Sequence, residues 1–248
     1  MNKKKINLVL IYGLGFNKKI WFFLKKKLKK YFNIHTINLP NPNIKNNFYI
    51  ELNNYIHKKI SQIPYNSILI GWSLGGILST LLTIKIPEKI ILLVTISSSP
   101  CFLKKKFWPG MKFTQIKKLK TELIYNYKKS IKNFINLQKN KANKKNIQQL
   151  KKKVLSITKP NISSIKFNIK ILKKIDLRNV IQKIKIPTLR IYGELDSIVP
   201  IKISYLLNNL LHDNNSYIIK KSNHAPFISH LNDFCNIFLK FIQEKIYI

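Results

Sequence analysis

Short apolar runs recur along the chain at Ile6–Ile11, 34–39, 67–71, Ile90–Ile96, Thr188–Gly193 and Ser216–Ile219. Most are continuous rather than alternating, which predicts strands buried on both faces. Between the early runs, 18–31, 47–63 and 75–84 read as helices. That alternation predicts an α/β fold with a mostly parallel sheet and right-handed crossovers, the helices flanking it. The rhythm stops between 98 and 188. There Ile116, Leu119, Leu123, Tyr127, Ile131 and Phe134 keep helical spacing, as do Ile147, Leu150 and Val154, and then Ile165, Ile169 and Leu172. The expected organisation is one structural domain: a first core part at 1–99, a helical cap insertion at 100–185, and a second core part at 186–248. Residues 139–145, rich in Asn and Lys, read as a loop, and no internal repeat is present.

Composition changes this picture in one respect. The 248 residues are 45% hydrophobic, with 14 Phe, 11 Tyr and 3 Trp, which suffices for one sizeable core and excludes a disordered polycation. Yet 46 Lys and Arg stand against 9 Asp and Glu, a net charge of +37, and the arginines are Arg178 and Arg190 alone. The lysines spread from Lys3 to Lys245 instead of clustering with aromatics. Such spacing reads as compositional drift and argues against specific nucleic-acid binding. The charge favours acidic partners, less so at high salt.

Cys101 and Cys235 are too few for a disulfide framework and fit a reducing, cytoplasmic setting. Met1 to Lys5 followed by 6–16 imitates the start of a signal peptide, but no small-residue cleavage site follows. The uncharged run 66–84 approaches spanning length, but Gly71, Gly75 and Gly76 interrupt it. No membrane association is expected.

Gly71-Trp72-Ser73-Leu74-Gly75 joins a strand-like run to a helix-like one, the context of a nucleophile elbow. A strained turn that thrusts Ser73 into a cleft brings backbones too close for a Cβ at either flanking glycine. A serine hydroxyl needs a neighbouring base, and that base needs an acid to fix its tautomer. In an open α/β sheet these partners belong on loops after later strands. Asp196 follows the run ending at Gly193, and His224 follows the run ending at Ile219, giving the order Ser, Asp, His. Glu194 is a rival acid and Asp213 a poorer one. Pro226 favours a loop around His224, and His230 is expected on the following helix. The backbone N–H of Leu74 and one from Tyr12-Gly13-Leu14-Gly15, placed by position at Leu14, are candidate oxyanion donors, although those glycines could also make only a turn. No Walker A loop, ligand-spaced Cys/His cluster or dinucleotide fingerprint is present, so neither metal nor cofactor is implied.

With these residues in place the chain resembles the α/β-hydrolase superfamily, and within it the pimeloyl-acyl-carrier-protein methyl ester esterases of biotin synthesis. The likeness runs through Gly71 to Gly76, Val94 to Phe102 with Trp108-Pro109-Gly110, Ile171 to Arg178, Leu189 to Asp196, and His224 to His230. It implies that Ser73, Asp196 and His224 are nucleophile, acid and base, and that Leu14 and Leu74 bind the oxyanion. It implies substrate binding by Leu14, Trp72, Ser73, Leu74, His224 and the stretch Phe134, Ile135, Asn136, Leu137 and Gln138. By the same resemblance Lys129 and Lys144 contact acyl carrier protein, and the enzyme is a monomer that releases methanol from the carrier-bound ester.

Departures from the family pattern are Tyr12 for the usual histidine, Leu14 for a common aromatic, and Leu39-Pro40-Asn41-Pro42, which lacks the expected glycines. Basic residues that relatives use as arginine are lysine here or, at Asn133 and Gln148, neutral. The short stretch before Ile6 suggests a trimmed leading strand pair. Two alternatives stay open on the sequence: a broad-specificity short-chain carboxylesterase or thioesterase, and a non-catalytic basic binding module on the same fold.

Overall fold

A computed structural model describes residues 5–42, 47–140, 144–213 and 215–246. Six strands form one parallel sheet: β1 (Ile6–Ile11), β2 (Phe32–Ile37), β3 (Ser67–Trp72), β4 (Ile90–Ile96), β5 (Thr188–Gly193) and β6 (Ser216–Ile219), in the order β2-β1-β3-β4-β5-β6. The central β3 is buried at every residue, whereas the edge strand β2 alternates. Continuous apolar runs therefore mark the middle of the sheet, where helices cover both faces.

The run at 34–39 lies two residues late. β2 pairs Phe32 with Ile6, and Phe32 is buried, so the strand begins where the sequence suggested a helix end. The stretch 18–31 divides into a 3-10 turn, Lys18–Trp21, and α1 (Phe22–Leu28). α2 (Phe48–Ile60) is capped by Asn47, whose side chain accepts from the N–H of Tyr49. α3 (Leu74–Lys85) packs directly on β3 and β4. The run 66–84 is thus a buried strand and helix of the core, and among the described residues no helix is long and apolar enough to cross a membrane.

Among the described residues four α-helices lie between β4 and β5: α4 (Phe113–Tyr125), α5 (Tyr127–Leu137), α6 (Lys144–Leu155) and α7 (Ile162–Lys174). The single stripe from Ile116 to Phe134 is broken at Asn126, whose backbone (φ −122°, ψ 32°) leaves the helical region and separates α4 from α5. Lys144 and Lys145, expected in a loop, begin α6 instead, since Ile147, Leu150 and Val154 bury one face of a helix that includes them. Residues 141–143 of that loop and the basic residues 1–4 lie outside the described residues.

After β5 come α8 (Lys202–Leu211), β6, the short α9 (Pro226–Ser229) and α10 (Leu231–Ile246). His224 sits in a loop after β6, as expected, and Pro226 opens a helical turn directly after it, because its fixed φ and missing N–H suit a first helical position. His230 stands at the joint between α9 and α10 and not on the latter. Cys101 and Cys235 are free and buried.

Candidate active site

The sheet order puts a crevice where the chemistry was expected. From β1 the chain crosses to β2 on one side and returns to β3 on the other. Connections leaving in opposite directions open a gap at the carboxyl ends of β1 and β3, where open α/β sheets bind ligands. The turn holding Ser73 and the loop 12–15 meet there.

Ser73 has φ 54° and ψ −120°, a conformation that costs a non-glycine residue about 1–3 kcal/mol. Its surroundings impose that shape. A Cβ on Gly75 would lie 2.1 Å from the carbonyl oxygen of Ile11, and one on Gly71 would lie 2.3 Å from that of Gly75. The glycines let α3 press against β1 and β3, so the turn between strand and helix has no other course. The N–H of Ser73 donates to Ile96 (2.9 Å), and its carbonyl accepts from the N–H of Gly76 and the hydroxyl of Ser98, both at 2.8 Å. Leu74 begins α3, so no preceding turn supplies an acceptor for its N–H.

Asp196 follows β5. Its Oδ1 accepts from the N–H groups of Ile198 and Val199 at 2.8 and 3.0 Å, which leaves Oδ2 directed at His224 Nδ1, 2.7 Å away. Both side chains are buried. The two rival acids are engaged elsewhere: Glu194 accepts from the N–H of Lys221, and Asp213 pairs with Arg190. The imidazole of His224 lies near the rings of Trp72 and Phe134, with centroids 5.8 and 5.9 Å away.

Ser73 and His224 line one cavity of about 390 Å³. Its inner wall is apolar, from Phe16, Trp72, Phe102, Leu123, Phe134 and Leu172. Asn126, Lys129 and Asn133 bring polar side chains to it, and all three are exposed. Leu14 is part of the same wall. A cavity of about 460 Å³ lies on another part of the sheet, beside Thr95, Arg190 and Tyr192, but neither Ser73 nor His224 reaches it. Size alone does not mark the site; the convergence of hydroxyl and imidazole does.

The loop 12–15 is held from both sides. Tyr12, in place of the family's usual histidine, donates its hydroxyl to Asn38 Oδ1 (3.2 Å), and burial pushes its pKa up. Tyr127 on α5 donates to the carbonyl of Gly15 (3.0 Å), and its pKa is pushed up to about 12, chiefly by burial and secondarily by Tyr12. A buried phenol that donates to a carbonyl stays neutral.

The stretch 134–138 does not act as one wall. Phe134 and Leu137, one turn apart, line the cavity, while Ile135 is buried in the helix packing and Asn136 faces outward. Gln138 is buried at the end of α5 and accepts from the N–H of Ala225 (3.1 Å). Lys129 lies at the cavity, whereas Lys144 opens α6 away from it. The sequence reading missed Phe16, Met111, Leu119, Leu123 and Ile198 as lining residues. Phe16 was within reach, since it follows Gly15 in the loop already singled out. Among the described residues no group of His, Cys, Asp or Glu could hold a metal ion.

Residues 6–231 match the family model described as the alpha/beta hydrolase fold. The chain is 42% identical to the pimeloyl-[acyl-carrier protein] methyl ester esterase of Wigglesworthia glossinidia brevipalpis, over 96% of this chain and 94% of that one. Among solved structures it superposes on an esterase from Exiguobacterium antarcticum with a TM-score of 0.80 at 16% identity, covering 97% and 92% of the two chains. It also superposes on a bromoperoxidase from Bacillus anthracis with a TM-score of 0.74 at 19% identity, with the same coverage. The spread of chemistries at such low identity means that these structures speak for the fold alone. By its sequence match and its architecture together, this chain belongs to the α/β-hydrolase family.

Proposed function

We propose that this chain is a serine carboxylesterase that hydrolyses the methyl ester of a pimeloyl chain carried on acyl carrier protein, yielding the free carboxylate and methanol. The observation that carries the chemistry is the buried 2.7 Å hydrogen bond between His224 and Asp196 beside the cavity that Ser73 also lines. The similarity to the Wigglesworthia esterase supports the substrate.

In this reading Asp196 keeps the proton of His224 on Nδ1, so that Nε2 is free to accept. Ser73 Oγ attacks the ester carbonyl carbon as its proton passes to Nε2. The negative charge on the carbonyl oxygen is met by the N–H groups of Leu74 and Leu14. Collapse of the tetrahedral intermediate breaks the bond to methoxide, which leaves as methanol with the proton from His224. Water then attacks the acylated Ser73, giving up a proton to His224, and the carboxylate departs as Ser73 regains its hydrogen.

The helical cap at 100–185 would shield the acyl chain over the apolar inner wall. The methylene chain gains by leaving water there. Lys129 beside the cavity, Lys144 on α6 and the positive surface around them suit an acidic carrier. The reading takes the enzyme as a cytoplasmic monomer with no specific nucleic-acid partner, acting at the release of pimeloyl chains for biotin synthesis. The test is labelling with a fluorophosphonate probe. Wild type should react at Ser73 and the His224→Ala variant should not; labelling that is absent from wild type, or unchanged by loss of His224, would overturn the assignment.

A further inference from the structure

The peptide group joining His224 to Ala225 is gripped at both of its polar atoms by side chains from distant parts of the chain. Its carbonyl oxygen accepts from Trp72 Nε1 at 2.8 Å, and its N–H donates to Gln138 Oε1 at 3.1 Å. Trp72 is the last residue of β3, immediately before Ser73, and Gln138 follows the last turn of α5. Trp72 and Gln138 are each 1% exposed and Ala225 is fully buried, so water does not substitute for these bonds. The Gln138 amide is oriented by its other end, since Nε2 donates to the carbonyl of Phe134 at 3.2 Å. A flipped amide would set donor against donor at Ala225. Beside the grip, Asn223 Nδ2 donates to the carbonyl of Leu137 at 2.8 Å, and Asn140 donates to the carbonyl of Ser229.

We infer that Gln138 is a positioning residue for His224, and that through it the seating of the inserted helices sets the aim of the imidazole. The inference rests on His224 being the base. Asp196 fixes the ring at Nδ1, but a hydrogen bond at one ring atom leaves the backbone free to carry the ring sideways. Holding the adjoining peptide plane from the elbow by Trp72 and from the insert by Gln138 removes that freedom. The resemblance placed Gln138 among substrate-lining residues; in the structure it lies behind the cavity wall and reaches the base through the main chain.

Two roles for Gln138 separate in kinetics. A wall residue acts on KM, whereas a positioning residue acts on kcat, because a displacement of about 1 Å at a reacting group costs up to about a hundredfold in rate. Hydrolysis of a free short-chain methyl ester by full-length wild type, Gln138→Leu, Gln138→Glu and Trp72→Phe, with melting curves for each, makes the test. Gln138→Leu should lower kcat by about ten- to a hundredfold with KM within about twofold. In Gln138→Glu a neutral carboxyl can accept from Ala225 and donate to Phe134, so most of the loss is restored, and the rescue fades as that carboxyl ionises with rising pH. Trp72→Phe, which removes the other bond on the same peptide, should show the same loss in kcat; because Trp72 also lines the cavity, its KM is not part of the test.

Full activity in Gln138→Leu, a rise in KM without change in kcat, or equal losses in Gln138→Leu and Gln138→Glu that follow their melting temperatures would each overturn the inference. A His224→Ala control keeps the two claims apart. If it is as active as wild type, the assignment of the base fails; if it is inactive while Gln138→Leu is unaffected, only the positioning role fails.

Discussion

The two walls of the cavity are built from different forces. On the sheet side, Ser73 is held by the backbone: a strained φ, glycines that admit no Cβ, an N–H donated to Ile96 at the end of β4 and a carbonyl that accepts from Gly76 in α3. On the other side, α4 to α7 pack an apolar face over the crevice that joins the buried core, and single side-chain bonds tie them to its loops. Tyr127 reaches Gly15, Asn17 reaches Val154, and Ser164 and Asn168 reach Pro40. All of these land on loops at the carboxyl ends of β1 and β2. Backbone close-packing has no graded response to substitution, whereas a single side-chain bond contributes about 1 kcal/mol. On the proposed mechanism, the difference teaches that the sheet side would fix where bonds break, while the helical side would adjust what fits and how firmly His224 is aimed.

Five substitutions would break or sharpen that contrast. The largest effect belongs to the sheet side. Ser73→Ala should lower turnover of any ester by about four powers of ten or more, and His224→Ala should match it, because residues acting as one unit are each indispensable. A steady-state assay with an active-site titration reads this directly. Next comes Gly75→Ala, where the new Cβ would press on the main chain of Ile11. It should destabilise the fold by about 4 kcal/mol or more, seen in urea denaturation as a shifted midpoint or as failure to fold.

On the helical side effects should be smaller and selective. Phe134 packs edge-on to Phe16, with ring centroids 5.0 Å apart, and lines the cavity. Phe134→Ala should raise KM for a seven-carbon acyl methyl ester about tenfold while leaving an acetyl ester within about twofold. A uniform loss on both substrates would place Phe134 in the chemistry and remove the contrast.

The smallest effect is expected at Tyr127. Its phenol is neutral in the fold, with the pKa pushed up to about 12, against about 10 in an unfolded chain. The folded state then holds this proton more tightly, so the stabilisation is complete below about pH 10 and is lost as pH rises toward 12. Tyr127→Phe should cost about 1 kcal/mol at neutral pH and flatten the decline in stability between pH 10 and 12. Melting curves across that range would show it, and a variant with the same slope as wild type would contradict the burial account.

Much of this arrangement was legible in the residues because strong local constraints leave few choices. The central strands announce themselves through unbroken apolar runs, and the elbow through glycines that the close approach of α3 requires. Asp196 and His224 could be picked from nine acids and five histidines because topology restricts such partners to loops after late strands. The choice of Asp196 over Glu194 was less legible. It depends on the amides of Ile198 and Val199 turning one carboxylate oxygen aside, which no spacing reveals. The edge strand β2 was misplaced because an alternating, half-exposed strand carries a weak signal, and Leu39 extends the apolar run past its end. In α5 the periodicity marked Tyr127, Ile131 and Phe134 as one stripe but could not show that Phe134 lines the cavity while Tyr127 ties down the loop at Gly15. The grip of Trp72 and Gln138 on one peptide joins residues far apart in the chain and left no trace in local pattern.

The most direct test of the central claim is methanol release from pimeloyl-carrier methyl ester, measured beside a free short-chain methyl ester, with wild type and Ser73→Ala at low and high salt. The account predicts a strong preference for the carrier substrate that weakens as salt rises, and no release by Ser73→Ala on either substrate. Equal, salt-insensitive rates on the two esters, or release that survives the loss of Ser73, would contradict it.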